Sequence, residues 1–222
     1  MTLRALTESL KHHLSGHLER SGSILYSAGS TLKSGDVYLM GFNPGGNDDD
    51  PACKYPTISE MIDALTERTT NAYLDEGWTS KGDKAPLQKR VTWLLNALGY
   101  QPREVCSSNL IFLRSRDAAG VEYRIADDCW PIHEEILGIV QPKLILAYGN
   151  SDRSAYGYLC NKFHAGGQDE SIPSGHGSWV VRSFDAVING QNTCVVGLPH
   201  LSRYNPIGKT EVIAWIKSRV KE

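Results

Sequence analysis

The sequence predicts an α/β fold, a three-layer α/β/α domain with a central, mostly parallel, four- to five-stranded sheet. Short apolar runs alternate along the chain with longer segments of helical periodicity. This alternation is typical of parallel strands whose connections cover both faces of the sheet. An Asn-Gly turn signal, Asn189-Gly190, lies between two strand-like runs and predicts a hairpin near the C-terminus.

The first predicted elements are one helix and one strand. Leucines at near-helical spacing predict an amphipathic helix from Leu3 to about Glu19, within a helical N-terminal segment 1–30. After a loop-rich stretch, the run DVYLMGF predicts a short buried strand that ends at Gly41.

Two further helices carry their own boundary signals. Thr57 and Glu60 have capping-box spacing at the start of TISEMIDALTE. Pro86 in the first turn and Gly99 after the last turn bound the helix PLQKRVTWLLNALGY. The polar segment 67–86 between these helices is expected to be an exposed, irregular loop.

The rest of the chain continues the alternation, and we expect all of it to form a single domain, 1–222. The expected elements are strand 107–113, helix 129–140, strand 142–150, helix 152–163, two hairpin strands between 178 and 199, and helix 209–222.

Composition is that of an ordinary globular protein. Of 222 residues, 41% are hydrophobic and 22% are charged, which excludes long disordered or coiled-coil structure. The net charge of −2 argues against general affinity for polyanions but allows a local basic patch. Without a membrane-length apolar run or a signal peptide, the chain is expected to be soluble and intracellular, cytoplasmic or, in a eukaryote, nuclear.

Cysteine and histidine patterns do not predict a metal site. The five cysteines are scattered without a C-x-x-C pair, so we expect reduced structural thiols. His12, His13 and His17 lack the glutamate of the H-E-x-x-H pattern and are interpreted as a solvated helix face. We expect neither a metal nor another cofactor.

Polar loops follow three of the predicted strands. They are GFNPGG (41–46), the loop that begins with RSR (114–116), and PHLSRYNP (199–206). Because ligands in such folds bind beyond the carboxyl ends of the strands, we expect these loops to form a functional site at one sheet edge.

The first of these loops presents an asparagine on a rigid turn. Pro44 biases Asn43 toward extended backbone, while Gly45 and Gly46 permit close backbone approach. Such a ledge can hold a water, an anion or the carbonyl edge of a small ring. It is also compatible with an ordinary turn at the end of a strand.

The second loop presents a histidine directly after an apolar strand. His200 is expected at a strand-end cleft, although the position also suits a structural histidine. Ser202, Arg203 and Tyr204 follow it and are expected to contact phosphate or enter a groove.

Together the two loops resemble the signature motifs of the uracil-DNA glycosylase superfamily. The first family motif, G-x-N-P-G, is matched by 41–45, where Gly41, Phe42, Asn43, Pro44 and Gly45 stand. The second, H-P-S-P-R-N-P in the single-strand-selective monofunctional branch, is similar to HLSRYNP at 200–206. The nearest resemblance is to the single-strand-selective monofunctional and mismatch-specific types, and only the motif residues carry it.

This resemblance implies a uracil-DNA glycosylase-like fold and an activity on DNA. The implied reaction is monofunctional hydrolysis of the N-glycosidic bond of uracil or a related deaminated or damaged base, as in base excision repair. The implied partner is DNA that contains such a base, and we expect a monomer without a cofactor or an obligate protein partner.

The resemblance also implies roles for individual residues. Asn43 positions the attacking water and His200 stabilises the departing base. Asn109 pairs with the base edge and Tyr55 stacks on the flipped base, with Gly41 and Phe42 bordering it. The residues implied to contact DNA are Pro44, Gly45, Ser202, Arg203 and Tyr204, the last two by filling the vacated stack or holding phosphates.

Three features depart from the family pattern. Leu201 replaces the proline of H-P-S, three acids (48–50) follow the first motif, and the net charge is slightly negative. Arg114, Arg116 and Arg203 are expected to supply compensating positive charge at the site edge.

These departures leave other functions open. One is a glycosylase-fold hydrolase for another nucleobase, RNA or a nucleoside. Another is a catalytically silent module that binds a modified base. A hydrolase that uses Ser202 and His200 is disfavoured because no G-x-S-x-G elbow is present.

Overall fold

The computed structural model describes residues 3–46, 55–164 and 169–220. Its sheet has six strands, not the predicted four or five. The strands are β1 Val37–Gly41, β2 Cys106–Asn109, β3 Leu144–Tyr148, β4 Glu170–Pro173, β5 Val180–Ile188 and β6 Gln191–Leu198. The strand that the sequence did not signal is β4, because this short edge strand is largely exposed and has no apolar run.

Parallel strands form one side of the sheet, in the order β2-β1-β3-β6, and β5 and β4 extend it with antiparallel pairing. The β5–β6 hairpin turns at Asn189 (φ 51°) and Gly190 (φ 79°), the left-handed conformations that a two-residue Asn-Gly turn requires. The predicted α/β class, the mostly parallel sheet and the hairpin are therefore confirmed.

Helices pack on both faces of the sheet. They are α1 Leu3–His13, α2 Ile58–Asp63, α3 Pro86–Leu98, α4 Ile125–Val140, α5 Ala155–Phe163 and α6 Thr210–Arg219. Successive strand residues point to opposite faces. Tyr38 and Met40 thus join a hydrophobic cluster with α1, α2, α4 and α5, whereas Val37 and Leu39 join another with α3 and α6. This arrangement is the expected three-layer α/β/α architecture.

Local signals placed three helix ends correctly. Thr57 Oγ1 accepts from the Glu60 N–H at 3.2 Å, and Glu60 Oε2 accepts from the Thr57 N–H at 2.7 Å, which completes the predicted capping box. Pro86 is the first residue of α3, and Gly99 ends that helix in the left-handed region with φ 95°.

Several helix boundaries differ from the prediction; for example, α2 ends at Asp63 and α5 begins at Ala155. The first helix ends at His13 rather than at about Glu19, because the chain changes to i→i−3 bonds such as His17 N–H to Leu14 O at 2.8 Å. His13 and His17 therefore do not share a helix face. The fourth helix begins at Ile125, before the expected Cys129.

The segment 67–86 was predicted to be an exposed loop, and this prediction is wrong for its middle part. Ala72 and Tyr73 are each only 3% exposed. The Ala72 N–H donates to Tyr26 O at 2.7 Å, and Gln88 Nε2 donates to Ala72 O at 2.7 Å. Backbone bonds to a buried partner, rather than apolar periodicity, thus carry this segment into the core.

Two sequence features cannot be placed. Cys53 and the acids Asp48, Asp49 and Asp50 lie outside the described residues. Across the three described ranges, none of the helices combines the length and apolar character that crossing a membrane requires.

Candidate active site at the carboxyl edge of the sheet

The parallel strands end side by side at one edge. Gly41 and Asn109 are register partners at the ends of β1 and β2, and Tyr148 and Leu198 are partners at the ends of β3 and β6. The loops 41–46, 114–116 and 199–206 leave from this edge. Their predicted convergence is thus present in the fold.

The Asn43 side chain is held in place through its own amide nitrogen. Its Nδ2 donates to Pro44 O at 2.9 Å and to Ser115 Oγ at 2.9 Å. The Ser115 hydroxyl itself donates to Asp117 O, so its oxygen is an acceptor for Asn43. Both amide hydrogens are therefore engaged, and Oδ1, which has no donor among the described residues, remains as a hydrogen-bond acceptor.

Ser115 is a site residue that the sequence reasoning missed. It lies between the two arginines of the RSR loop, and its N–H also donates to Pro44 O at 3.1 Å. Ser115 thereby ties the loop after β2 to the loop after β1. Its proximity to a strand end was visible in the sequence, but its pairing with Asn43 depends on tertiary contact.

Asn109 lies deep in the edge, with an exposed fraction of 1%. Its Oδ1 is 3.5 Å from the Tyr148 hydroxyl, and its Nδ2 is buried without a hydrogen-bond partner among the described residues. Glycine is required opposite it, because a Cβ on Gly41 would lie 2.1 Å from Asn109 Oδ1. An unpaired buried donor is costly in a folded protein, and such an atom is suited to bind a ligand acceptor.

Three tyrosines extend this buried polar group. The Tyr148 and Tyr73 hydroxyls are 2.8 Å apart, and the Tyr26 and Tyr73 rings are 5.6 Å between centres. Burial raises the pKa of both Tyr73 and Tyr148 well above the usual value, so both hydroxyls stay protonated. The sequence reasoning missed all three tyrosines, because each lies in a segment interpreted only as a strand or a loop.

The tautomer of His200 follows from its partners. Its Nδ1 accepts from the Ser202 backbone N–H at 3.2 Å and lies 2.7 Å from Ser202 Oγ. A backbone N–H can only donate, so Nδ1 carries no hydrogen and Nε2 does. Burial, together with the nearby Arg203, lowers the pKa of His200. The ring is therefore neutral at neutral pH and presents an Nε2–H donor.

His200 also belongs to the same buried group as Asn109. Its ring packs edge-on against Tyr148, with 5.5 Å between ring centres. The loop that carries it is fixed from α3, because Arg90 donates to Leu201 O and Ser202 O, each at 2.8 Å. The fully buried Leu201 side chain anchors the loop where the family pattern has proline.

Two of the predicted site residues face the core instead. Tyr204 is fully buried and its hydroxyl donates to Ser174 O at 2.9 Å, so the prediction that it contacts DNA is corrected. The Phe42 side chain is 6% exposed and stacks on Tyr123 at 6.1 Å. Its ring therefore does not border a base as expected.

Most of the remaining predicted residues lie at the surface, since Ser202, Arg203, Gly45 and Arg116 are exposed. Pro44 is buried, so the expectation that it contacts DNA is corrected. The Arg114 guanidinium lies 3.8 Å from the centre of the Tyr55 ring and donates to Gly45 O. This contact places Tyr55 beside the first motif, with one ring face covered by Arg114.

Two open cavities lie away from these residues. One, of about 270 Å³, is lined by Tyr123 and Lys162, and the other, of about 400 Å³, by Tyr73 and Trp93. Neither is lined by Asn43, Asn109 or His200. The Asn109 side chain itself is buried, so a ligand reaches it only after neighbouring side chains move.

Comparison with protein-family models and with curated proteins gives no match. The candidate site therefore stands on its own geometry and on the two motifs.

Proposed function

We propose that this protein is a monofunctional DNA glycosylase for uracil or a related damaged base that carries a carbonyl group. One observation supports the proposal: Asn43, Asn109 and His200 lie on or directly after strands that end at the same sheet edge, and each keeps one polar atom without a partner among the described residues. These atoms are an amide oxygen, an amide nitrogen and an imidazole Nε2–H. Each of these atoms has a role in the hydrolysis of an N-glycosidic bond.

His200 stabilises the leaving base. Cleavage of the C1′–N bond leaves its electron pair on the base and develops oxocarbenium character on the sugar. The Nε2–H of the neutral imidazole donates to a carbonyl oxygen of the departing base. By analogy with an oxyanion-hole donor, this bond lowers the barrier by about 3 kcal/mol.

Asn43 positions the water. Its Oδ1 accepts one water hydrogen and holds the water oxygen toward C1′. An amide is a poor base, but a strongly electrophilic sugar does not require prior deprotonation of the water. The water oxygen bonds to C1′, its proton passes to solvent, and the products are the free base and an abasic site.

Asn109 selects the base. Its buried Nδ2 donates to a carbonyl on the edge of the extruded base, and this bond satisfies the atom that is unpaired in the free protein. The base must first leave the helical stack. Tyr55 then stacks on it, while the exposed Arg203 fills the vacated space or binds a phosphate.

The proposed reaction ends with base removal. The two motif segments, 41–46 and 200–206, contain no lysine, so no amine is available there to form a Schiff base with the sugar. The DNA strand is therefore left intact at the abasic site, as in the first step of base excision repair.

One contact favours a different hydrolase mechanism. Ser202 Oγ lies 2.7 Å from His200 Nδ1, the distance of a serine–histidine dyad. However, the Ser202 backbone N–H donates to the same nitrogen, and none of the described residues places a carboxylate on Nε2 to orient the ring. We therefore assign Ser202 to holding His200 rather than to nucleophilic attack.

An excision assay tests the proposed function. Oligonucleotides with a single uracil, hypoxanthine, xanthine or 5-hydroxymethyluracil, each single- and double-stranded, are incubated with the wild type, Asn43→Ala and His200→Ala. We expect excision of at least one base by the wild type and its loss in both variants. Excision that persists in both variants would contradict the assigned site.

Binding and ester-hydrolysis measurements on the same proteins separate the alternatives. Tight binding to one modified base without excision would support the binding-module alternative. Hydrolysis of an ester substrate that is lost in Ser202→Ala would support the dyad. A wild-type protein that neither excises nor binds any of these bases would refute the proposed function.

A further inference from the structure

The Asn109 amide is connected to a chain of buried hydroxyls that ends at Tyr73. We propose that Tyr148 fixes the orientation of this amide and is thereby the residue that makes the site accept a base with a carbonyl and reject one with an amino group. This inference rests on the proposed function and assigns its specificity to a residue outside both motifs.

The contacts define the chain. Tyr73 Oη is 2.8 Å from Tyr148 Oη, and Tyr148 Oη is 3.5 Å from Asn109 Oδ1. The second distance is long for a hydrogen bond, and such bonds in unliganded sites commonly tighten when substrate binds. Tyr73 and Tyr148 are each 3% exposed, so both side chains are largely shielded from water.

The hydroxyl chain has a preferred hydrogen-bond direction because its hydrogens need acceptors. When Asn109 Nδ2 faces a base carbonyl, Tyr73 donates to Tyr148 and Tyr148 donates to Asn109 Oδ1. Every hydroxyl hydrogen then has an acceptor. When the amide is turned so that Oδ1 faces an amino group, Nδ2 must donate to Tyr148, which then donates to Tyr73.

In this second arrangement the Tyr73 hydrogen has no acceptor among the described residues. A buried donor without an acceptor is costly, whereas an oxygen with an unused lone pair is tolerated much better. Tyr148 therefore favours the amide orientation that donates to the base. The expected selectivity from one such donor is roughly 10- to 100-fold in affinity.

The two tyrosines are expected to differ in their effect on the orientation of the Asn109 amide. Without the Tyr73 hydroxyl, Tyr148 still has to donate, and Asn109 Oδ1 is still its acceptor. Without the Tyr148 hydroxyl, nothing in the chain distinguishes the two orientations of the amide. Tyr73→Phe is thus the matched control for Tyr148→Phe.

Tyr26 is the other tyrosine close to Asn109 that could orient its amide. Burial raises the pKa of Tyr26 to about 12, and the Asn109 side chain opposes part of that rise. The two side chains therefore lie close together, although Asn109 Nδ2 does not meet hydrogen-bond geometry with Tyr26. Tyr26→Phe accordingly belongs in the same series.

The test measures binding to two uncleavable ligands. They are single-stranded oligonucleotides that differ only in one central nucleotide, 2′-fluoro-2′-deoxyuridine or 2′-fluoro-2′-deoxycytidine. The 2′-fluorine prevents cleavage because it disfavours the positive charge that develops on the sugar. The quantity compared is the ratio of the two Kd values for wild type, Tyr148→Phe, Tyr73→Phe and Tyr26→Phe. General loss of folding weakens both affinities together and leaves this ratio unchanged.

We expect the wild type to prefer the uridine ligand, Tyr148→Phe to lose at least about tenfold of that preference, and Tyr73→Phe and Tyr26→Phe to keep most of it. A Tyr148→Phe ratio equal to that of the wild type would overturn the inference and leave the proposed function standing. A loss in Tyr73→Phe or Tyr26→Phe as large as in Tyr148→Phe would also overturn it. A wild type that excises no base and binds both ligands equally would overturn the inference and the proposed function together.

Discussion

The backbone N–H of Ser202 donates to Nδ1 of His200 at 3.2 Å, and this bond fixes the imidazole as the Nε2–H tautomer. The bond comes from the motif loop itself, which Arg90 holds through two carbonyl oxygens. The electrostatic role of the histidine therefore depends on backbone geometry two residues away. Protonation of Nδ1 would place two hydrogens against each other and break this contact.

The pH dependence of activity follows from that contact. The pKa of His200 is lowered from 6.5 by burial, and Arg203 contributes in the same direction. A lowered pKa keeps the imidazole neutral to more acidic pH, so kcat/KM for uracil excision should be flat above pH 6.5 and decline only below it. The measurement is a pH profile of kcat/KM on a uracil oligonucleotide. An acid limb centred above pH 6.5 would contradict the neutral-donor role.

Ser115→Ala should impair catalysis more than binding. The substitution removes the acceptor for one Asn43 amide hydrogen, so the amide can rotate and Oδ1 no longer holds the water in one place. We expect a decrease in kcat of about tenfold, the value of a single net hydrogen bond, with KM nearly unchanged. Steady-state kinetics check this split.

Arg116→Ala is the control for that variant, because Arg116 is the exposed neighbour of Ser115. Loss of its charge should raise KM at low salt and leave kcat unchanged. If Ser115→Ala instead changed KM alone, Ser115 would act on DNA binding and not through Asn43.

Asn109→Leu should make the protein less active with little change in its stability. The leucine removes a buried, unpaired Nδ2 and has a similar volume, but it also removes Oδ1, the acceptor for the Tyr148 hydroxyl. One unpaired buried donor replaces another, so the free energy of unfolding should change by less than about 1 kcal/mol. The base loses its selecting donor, and uracil excision should fall by roughly 10- to 100-fold.

Urea unfolding and excision, measured on the same preparations, check both parts of this prediction. A variant that is both less stable and less active would indicate that Asn109 is a structural residue. Asn96→Leu, on the exposed side of α3, is the matched substitution and should change neither quantity appreciably.

Local sequence signals were sufficient for most of the fold. The capping box at Thr57, the left-handed Gly99 and the Asn189-Gly190 turn each have a conformational cause within a few residues. The exposed strand β4 has no such local signal, and its extended conformation depends on pairing with β5. Tertiary pairing likewise carries 71–73 into the core.

For the site, the sequence identified motif residues but not their surroundings. Asn43 and His200 were found because turn chemistry and a strand end mark them. Ser115 and Tyr148 were not, because their contacts join residues far apart in the chain. The prediction for Tyr204 was wrong because its burial against Ser174 depends on the loop before β5.

Tyr204→Phe tests that corrected position. The substitution removes the hydroxyl that donates to Ser174 O at 2.9 Å and retains the buried ring. We expect the free energy of unfolding to fall by about 1 kcal/mol and the affinity for uracil-containing DNA to stay the same. Arg203→Ala, at the exposed adjacent residue, should do the reverse, weakening DNA binding with little effect on stability. Thermal unfolding and a DNA titration distinguish the two variants.

His133, which lies beneath the site, makes the stability of the protein depend on pH. Its Nε2–H donates to Leu110 O at 3.0 Å, directly after Asn109, and its Nδ1 accepts from the Tyr38 hydroxyl at 3.0 Å. Burial lowers the pKa of His133 to about 4, so the folded protein keeps this ring neutral while the unfolded chain binds a proton below about pH 6.5.

The contribution of His133 is therefore complete above pH 6.5 and declines as the pH falls toward 4, by about 3 kcal/mol in all. Urea unfolding of wild type and His133→Gln across pH 4 to 7 measures it, since the glutamine does not titrate and the other groups are common to both. We expect the difference in free energy of unfolding between the two proteins to shrink as the pH falls. A constant difference would mean that His133 binds its proton equally in the folded and the unfolded protein, so that burial does not lower its pKa.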